Sequence, residues 1–241
     1  MNTIDSQSIR ERCRHVEARI ADAAIAAGRE PQTVRLVVVS KAQPLEVVEA
    51  AIAAGIRVFG ENYAEEAVGK IAALNNSGVE WHMIGHVQSR KADLVAANFT
   101  MLHSLDSLKL ATKLDRACGE LKKKLPVLLE FNVSGEESKF GFPAWEEARW
   151  SDLAPGIETV LALPNLQVCG LMTMPPFFDD PERTRPYFQR LRRLKDHLAN
   201  RFQETNWTEL SMGTSTDYLA AVQEGATIVR VGQAILGPRS K

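Results

Sequence analysis

Cysteine is scarce in this chain, and what there is does not pair. Cys13, Cys118 and Cys169 are the only three in 241 residues, far apart and with no CxxC spacing. An odd, dispersed set argues against a disulfide framework and a zinc site and fits a reducing compartment. Long hydrophobic runs are also missing. No segment approaches the roughly 18 apolar residues that a membrane span requires. The opening MNTIDSQSIRERCRHVEARI mixes both charge signs without a continuous apolar core, unlike a secretory signal. Excess charge is absent too, because Lys+Arg 29 against Asp+Glu 30 leave a formal net charge of -1. The balance as a whole therefore offers no attraction for nucleic acid or an anionic membrane. No Pro/Gly/Ser-rich linker and no low-complexity tract divides the sequence, so one domain is expected over residues 1–241, in the cytoplasm.

What is present is alternation. A helix is predicted over residues 5–27, where Ile9, Cys13, Val16, Ile20, Ala23 and Ala27 recur at three or four and Gly28 stops the run. Short apolar runs bounded by turn signals follow at 34–40, 57–60, 80–86, 100–104, 126–134, 166–174, 208–213 and 227–232. Helical patterns lie between them, for example at 44–54, 107–124, 185–202 and 216–225. Strands that alternate with helices pair in parallel, and eight such units in a chain near this length suit a closed (β/α)8 TIM barrel preceded by an extra helix. An open doubly wound sheet is the alternative, but the glycine-rich turn expected after its first strand is replaced here by SKAQP.

In such a barrel the chemistry lies at the C-terminal strand ends. Those ends read Ser40-Lys41, Gly60-Glu61-Asn62, Gly85-His86, His103-Ser104, Asn132-Val133-Ser134, Thr173-Met174, Ser211-Met212-Gly213 and Arg230-Val231-Gly232. The opposite ends, such as Arg57-Val58 and Thr227-Ile228, show no comparable set. A lysine at an apolar mouth is partly desolvated, which favours the neutral amine needed for Schiff-base chemistry, and Lys41 is that candidate. The plainer reading is an exposed lysine opening a loop. SMGTS (211–215) and VRVGQ (229–233) end the last two strands, where barrels often bind phosphate. Gly213 and Gly232 would admit an anion to backbone N–H groups, with Ser211 and Ser215 adding donors; two ordinary turns are the alternative. An amine facing a phosphate cradle matches the two anchors of pyridoxal phosphate, with Arg230 in reach of the ring nitrogen.

The motifs VVVSKAQP, VFGENYAEE, WHMIGHVQSRK, FNVSGEESKFG, GLMTMPP, LSMGTSTDY and VRVGQAILG, in that order over residues 34–237, closely resemble those of the pyridoxal-phosphate-binding homeostasis proteins, which share the barrel of the alanine racemase N-terminal domain. The resemblance implies that Lys41 holds pyridoxal 5'-phosphate as a lysine aldimine and that Arg230 lies at the pyridine nitrogen. It places Ser211, Ser215, Gly232 and Gln233 around the phosphate; Asn62 and Gly213 complete the candidate site. The family usually has Ser or Thr at 233 and Met at 214. Here Gln233 keeps its backbone N–H but lacks a compact hydroxyl, and 214 is Thr. A guanidinium at the ring nitrogen disfavours its protonation and makes the ring a poorer electron sink.

A racemase needs a second base on the other face of the substrate carbon. In alanine racemases a tyrosine from an additional domain supplies it, whereas this chain stops at GPRSK soon after its eighth strand, leaving only Tyr63, Tyr187 and Tyr218. The expectation is a homeostatic carrier that delivers the cofactor to apo-enzymes, with an amino-acid racemase as the alternative. It is expected to bind neither nucleic acid nor membrane and to exist as a monomer or weak dimer. Other features receive structural readings. His82 and His86 are read as sharing one strand face, as packing rather than as a metal pair. Lys139 is read as a solvated loop amine, with a secondary cofactor site as the alternative. The arginines of 183–201 are read as the outer face of a helix whose buried stripe is Phe188, Leu191, Leu194 and Leu198.

Overall fold

The computed structural model describes residues 5–74 and 78–238. Eight parallel strands close on themselves: β1 Arg35–Val39, β2 Val58–Glu61, β3 Glu80–Met83, β4 Met101–Leu105, β5 Leu125–Asn132, β6 Leu166–Met172, β7 Glu209–Ser211 and β8 Ile228–Val231. Each pairs with the next. The ring shuts where β8 lies beside β1, with Val37 opposite Arg230. A two-residue segment, Phe142–Pro143, adds to the end of β5. The helices are α1 Ser6–Ala26, α2 Leu45–Ala53, α3 Ala64–Leu74, α4 Ala92–Asn98, α5 Leu108–Glu120, α6 Ala154–Leu161, α7 Arg185–Arg201, α8 Tyr218–Gln223 and α9 Gln233–Leu236. This is the expected (β/α)8 TIM barrel, extra helix included.

The two-residue period of each strand sorts side chains into two cores. Val37, Met101, Leu128, Met172 and Ile228 point inward and form a small lumen cluster with Val58 and Cys169. Their neighbours Val38, Phe59, Leu102, Leu129, Leu171 and Val229 point outward into the larger layer beneath the helices. α7 shows how that layer is made. Phe188, Leu191, Leu194 and Leu198 are buried, while Arg193 pairs with Glu147, and Arg185 with Glu182 and Glu224. At about 2 kcal/mol for each large side chain removed from water, that stripe contributes roughly 8 kcal/mol.

α1 starts at Asp5, whose carboxylate accepts from the backbone N–H groups of Gln7 at 2.9 Å and Ser8 at 3.2 Å. It ends at Gly28, whose φ of 68° is the left-handed stop glycine permits. The helix is tied to the barrel by arginines on helix-end carbonyls. Arg10 reaches Ala53 and Ala54, Arg12 reaches Ile235, and Arg29 reaches Val222 and Ala226. One glycine is required inside the sheet. Pairing between β5 and β6 slips at Cys169, passing from Val127–Val168 to Leu128–Gly170. There β7 comes so close that a Cβ on Gly170 would lie 1.9 Å from the Glu209 carbonyl oxygen.

Candidate functional site

β1 is short and β-branched, presents Val37 to the lumen and ends at Val39, two residues before Lys41. Lys41 is half-buried and stands in a turn held from both sides. Ser40 before it is fully buried, donating its Oγ to Glu61 Oε1 at 2.7 Å while its carbonyl accepts from Lys70 Nζ at 2.8 Å. Ala42 after it donates its N–H to Glu66 Oε1 at 2.8 Å and adopts φ 55°, a left-handed conformation unusual for a non-glycine residue. Lys70 Nζ joins the two carboxylates, at 2.9 Å from Glu61 and 2.6 Å from Glu66. Burial raises the Glu61 pKa, while Lys70 and Ser40 oppose the shift.

Beside β1 the loops after β7 and β8 meet. Gly213 has φ 91°, and a Cβ there would fall 2.5 Å from the Ala221 side chain and 2.9 Å from Tyr218 Cα. A Cβ on Gly232 would lie 2.9 Å from the carbonyl oxygen of Val39, on the strand that carries Lys41. The Gly232 N–H donates to Ser215 Oγ at 3.4 Å, closing the two loops on each other. Asp217 fixes the first of them, accepting from the backbone N–H of Thr214 at 2.7 Å and from its hydroxyl at 3.1 Å. Ser215 and Gln233 are exposed there, Gln233 beginning α9. On the other side of β1, Asn62 follows β2, and its buried Oδ1 has no hydrogen-bond partner among the described residues. Glycine at 85 lets the end of β3 press on that turn, since a Cβ there would be 2.4 Å from the Asn62 carbonyl oxygen.

Arg230 lies in the lumen below this rim, and Ser211 lies with it rather than in the cradle. Ser211 is fully buried, and its Oγ accepts from Arg230 Nη1 and sits 2.9 Å from His103 Nδ1. His103 Nε2 is 3.0 Å from His82 Nδ1, and His82 Nε2 is 3.4 Å from Glu80 at the opposite rim. Arginine only donates. If the Ser211 hydroxyl donates its hydrogen bond to His103 Nδ1, every later link becomes a donor–acceptor pair that ends on the Glu80 carboxylate. Both imidazoles are then neutral. Burial, reinforced by His82 and Arg230, holds His103 well below the usual histidine range, and burial takes His82 down to about 4 against the pull of Glu80. Arg230 also donates to the Thr173 carbonyl at 3.1 Å, and burial lowers its pKa to about 10.

The mouth therefore gathers Lys41, Asn62, Gly213, Ser215, Gly232 and Gln233, with Arg230 and Ser211 beneath. The sequence reading named Glu61 only as a strand end and missed Lys70 and Glu130. Glu61 and Lys70 form the buried pair described above, and Lys70 stands four residues after Glu66 on α3, the spacing of neighbours on one helix face. Glu130, on β5 in step with Leu128, is buried with one oxygen unpartnered among the described residues. Burial first, then Asp106, raises its pKa to about 7 against Arg230 and Lys139. Three expectations are corrected. β3 ends at Met83, so His82 is a lumen residue while His86 is an exposed loop residue, 2.8 Å from Asp106 and stacked on Phe140. Lys139 is half-buried and donates to the Pro175 carbonyl at 3.3 Å. The far rim is also polar, with Arg35 3.9 Å from Glu80, and Thr227 donating to Glu209. Among the described residues no cluster is arranged to hold a metal ion, and no helix is long and apolar enough to cross a membrane.

Residues 4–240 match the family model described as alanine racemase, N-terminal domain. Curated relatives named pyridoxal phosphate homeostasis protein match over nearly their whole length. The one from Pseudomonas aeruginosa is 44% identical over 232 residues, 96% of each chain, and that from Aquifex aeolicus is 38% identical over 229 residues, 95% of this chain and 97% of its own. The chain belongs to the family of pyridoxal phosphate homeostasis proteins. PipY of Synechococcus elongatus, solved with pyridoxal phosphate bound, superposes at a TM-score of 0.78 and 34% identity, covering 90% of this chain and all of PipY. Alanine racemases share the fold alone: one from Clostridium difficile gives a TM-score of 0.68 at 15% identity, covering 95% of this chain but 56% of its own. The homeostasis relatives thus match in length and sequence, and the racemases in architecture only.

Proposed function

We propose that this chain binds pyridoxal 5'-phosphate at the C-terminal mouth of its barrel, with Lys41 as the covalent anchor. The observation that carries this is the packing of Gly232 against Val39, which sets a glycine-rimmed cradle beside the strand bearing the lysine. Backbone N–H groups around Gly213, Gly232 and Gln233 and the hydroxyl of Ser215 suit a phosphate. The unpartnered Oδ1 of Asn62 offers an acceptor, and Arg230, held from below by Ser211 and Thr173, offers N–H donors to the ring nitrogen. Bound there, the cofactor supplies an aldehyde that condenses reversibly with an amine, so Lys41 would hold it as a lysine aldimine and release it to another amine or to water.

Homeostasis, with delivery to apo-enzymes, follows from that reversibility, and we read the chain as a single cytoplasmic domain working as a monomer or weak dimer. The racemase alternative lacks support at the second base. Tyr63 is exposed, Tyr218 is buried against Arg19, and Tyr187 stacks on Phe178. The test is a titration of the purified protein with pyridoxal phosphate, read in the visible, on wild type and Lys41→Ala, followed by an assay for amino-acid turnover. Absorbance that saturates in wild type alone, without turnover, is the expected result. Steady racemisation or decarboxylation by the wild type would remove the carrier reading.

A further inference from the structure

The residues that hold the turn on either side of Lys41 are charged, with Glu61 and Lys70 buried and Glu66 partly so, and make none of the proposed cofactor contacts. Lys70 is 7% exposed, yet its ammonium binds the carbonyl of Ser40, Glu61 and Glu66 together. Glu66 Oε1, which receives that ammonium, also takes the N–H of Ala42. One ion-pair cluster therefore joins the residue before Lys41 to the residue after it. We propose that Glu66 and Lys70 are positioning residues for Lys41, clamping the turn so that its amine is presented at one place in the mouth. This inference rests on the reading of Lys41 as the cofactor anchor.

Three observations support it. Ala42 sits at φ 55°, a conformation that an L-residue keeps only where its surroundings impose it, and the bond to Glu66 acts on that residue's own N–H. Ser40 is held twice, through its hydroxyl and its carbonyl, so the turn is fixed at both ends. Finally, a buried ion pair is a weak source of stability compared with apolar packing, so packing alone does not account for two carboxylates and an ammonium at this turn. A lysine on a slack loop must lose rotamer and backbone freedom each time it captures an aldehyde, and a clamped turn has already lost it.

Glu66 makes the test clean, because its side chain is 32% exposed and it begins a surface helix, so replacing it leaves the core intact. Full-length wild type, Glu66→Ala and Glu66→Gln are titrated with pyridoxal phosphate. The rate and equilibrium constant of adduct formation are read by absorbance, the labelled lysine is identified by borohydride reduction and peptide mapping, and Tm is measured on the same samples. Glutamine keeps an acceptor oxygen for the Ala42 N–H, whereas alanine does not. Loss of a charge-assisted bond to that N–H predicts about a tenfold fall in adduct formation for Glu66→Ala, and rescue to within about threefold by Glu66→Gln, with both melting alike. Glu66→Ala forming adduct like wild type would overturn the inference, as would both variants losing adduct in proportion to lost Tm. Wild type that labels elsewhere than Lys41 takes the cofactor reading down with it; wild type that labels Lys41 beside an unaffected Glu66→Ala removes the positioning role alone.

Discussion

Replacing Lys70 by methionine is expected to be the most damaging single change near the mouth, because of what it leaves behind. Lys70 Nζ lies 2.9 Å from Glu61 Oε1, and Glu61 is fully buried, with its second carboxylate oxygen already unpartnered among the described residues. Methionine fills most of the volume of the lysine stem, so packing changes little, but Glu61 loses the ammonium that pairs with it. Breaking a buried pair from one side costs about 3–5 kcal/mol, a large share of the 5–15 kcal/mol typical of a whole domain. For a chain of this size that is a fall in Tm of roughly 6–20 °C. The pH dependence has a definite sign. The folded pKa of Glu61 is already raised by burial, so its contribution to stability is complete below its unfolded value near 4 and is lost as pH rises through the folded value. Removing Lys70 lifts that folded value further. The deficit of Lys70→Met should therefore be greatest near pH 8 and shrink toward pH 5, and Glu61→Gln added to it should restore most of the loss. Urea denaturation at both pH values, on the two single variants and the double, measures the coupling directly. A Lys70→Met chain within about 0.5 kcal/mol of wild type at pH 8, or equally impaired at both pH values, would refute the reasoning.

Other consequences follow from single sites. Gly170→Ala places a methyl group 1.9 Å from the Glu209 carbonyl oxygen and should cost more than about 3 kcal/mol or abolish folding, whereas Gly69→Ala, in open space on α3, should stabilise by up to about 1 kcal/mol; thermal melts of both test this. Glu130→Gln should flatten the stability profile between about pH 5 and 8, because a folded pKa raised to about 7 makes wild type lose stability as pH rises through it; the gain for the variant at pH 8 should be about 2–3 kcal/mol by urea titration. His82 and His103 have the opposite sign. Their folded values are depressed, so the stability they carry is present above pH 6.5 and is lost on acidification toward and below 4. His82→Phe with His103→Leu should accordingly weaken the acid dependence of unfolding in that range.

The barrel was legible in the sequence because its signals are local. Each strand is a short apolar run that stops at a glycine or a polar residue, and α1 and α7 carry unbroken stripes at helical spacing. The strand ends named Lys41, Arg230 and the two glycine turns for the same reason. What stayed hidden depends on how elements meet. His82 and His86 shared a face only so long as the strand was taken to continue, and it ends at Met83, freeing His86 to turn outward toward Asp106. Ser211 was assigned to the phosphate from its motif, yet its position in β7 puts its hydroxyl under Arg230, where β8 faces the lumen. The Glu61–Lys70–Glu66 cluster joins a strand end to a helix face, and in one dimension nothing links the strand-end Glu61 to Glu66 and Lys70. Glu130 is a similar case, since only its inward register beside Leu128 separates it from a solvated carboxylate.

The central claim is that the lysine lifted on β1 captures an aldehyde whose phosphate rests in the neighbouring turns. The most direct measurement is borohydride reduction of the full-length protein after incubation with pyridoxal phosphate, followed by peptide mapping of every lysine. The account predicts one dominant adduct, on Lys41, whose yield falls when inorganic phosphate competes during the incubation that precedes reduction. An adduct confined to Lys139, or spread evenly over surface lysines with Lys41 unlabelled, would contradict it.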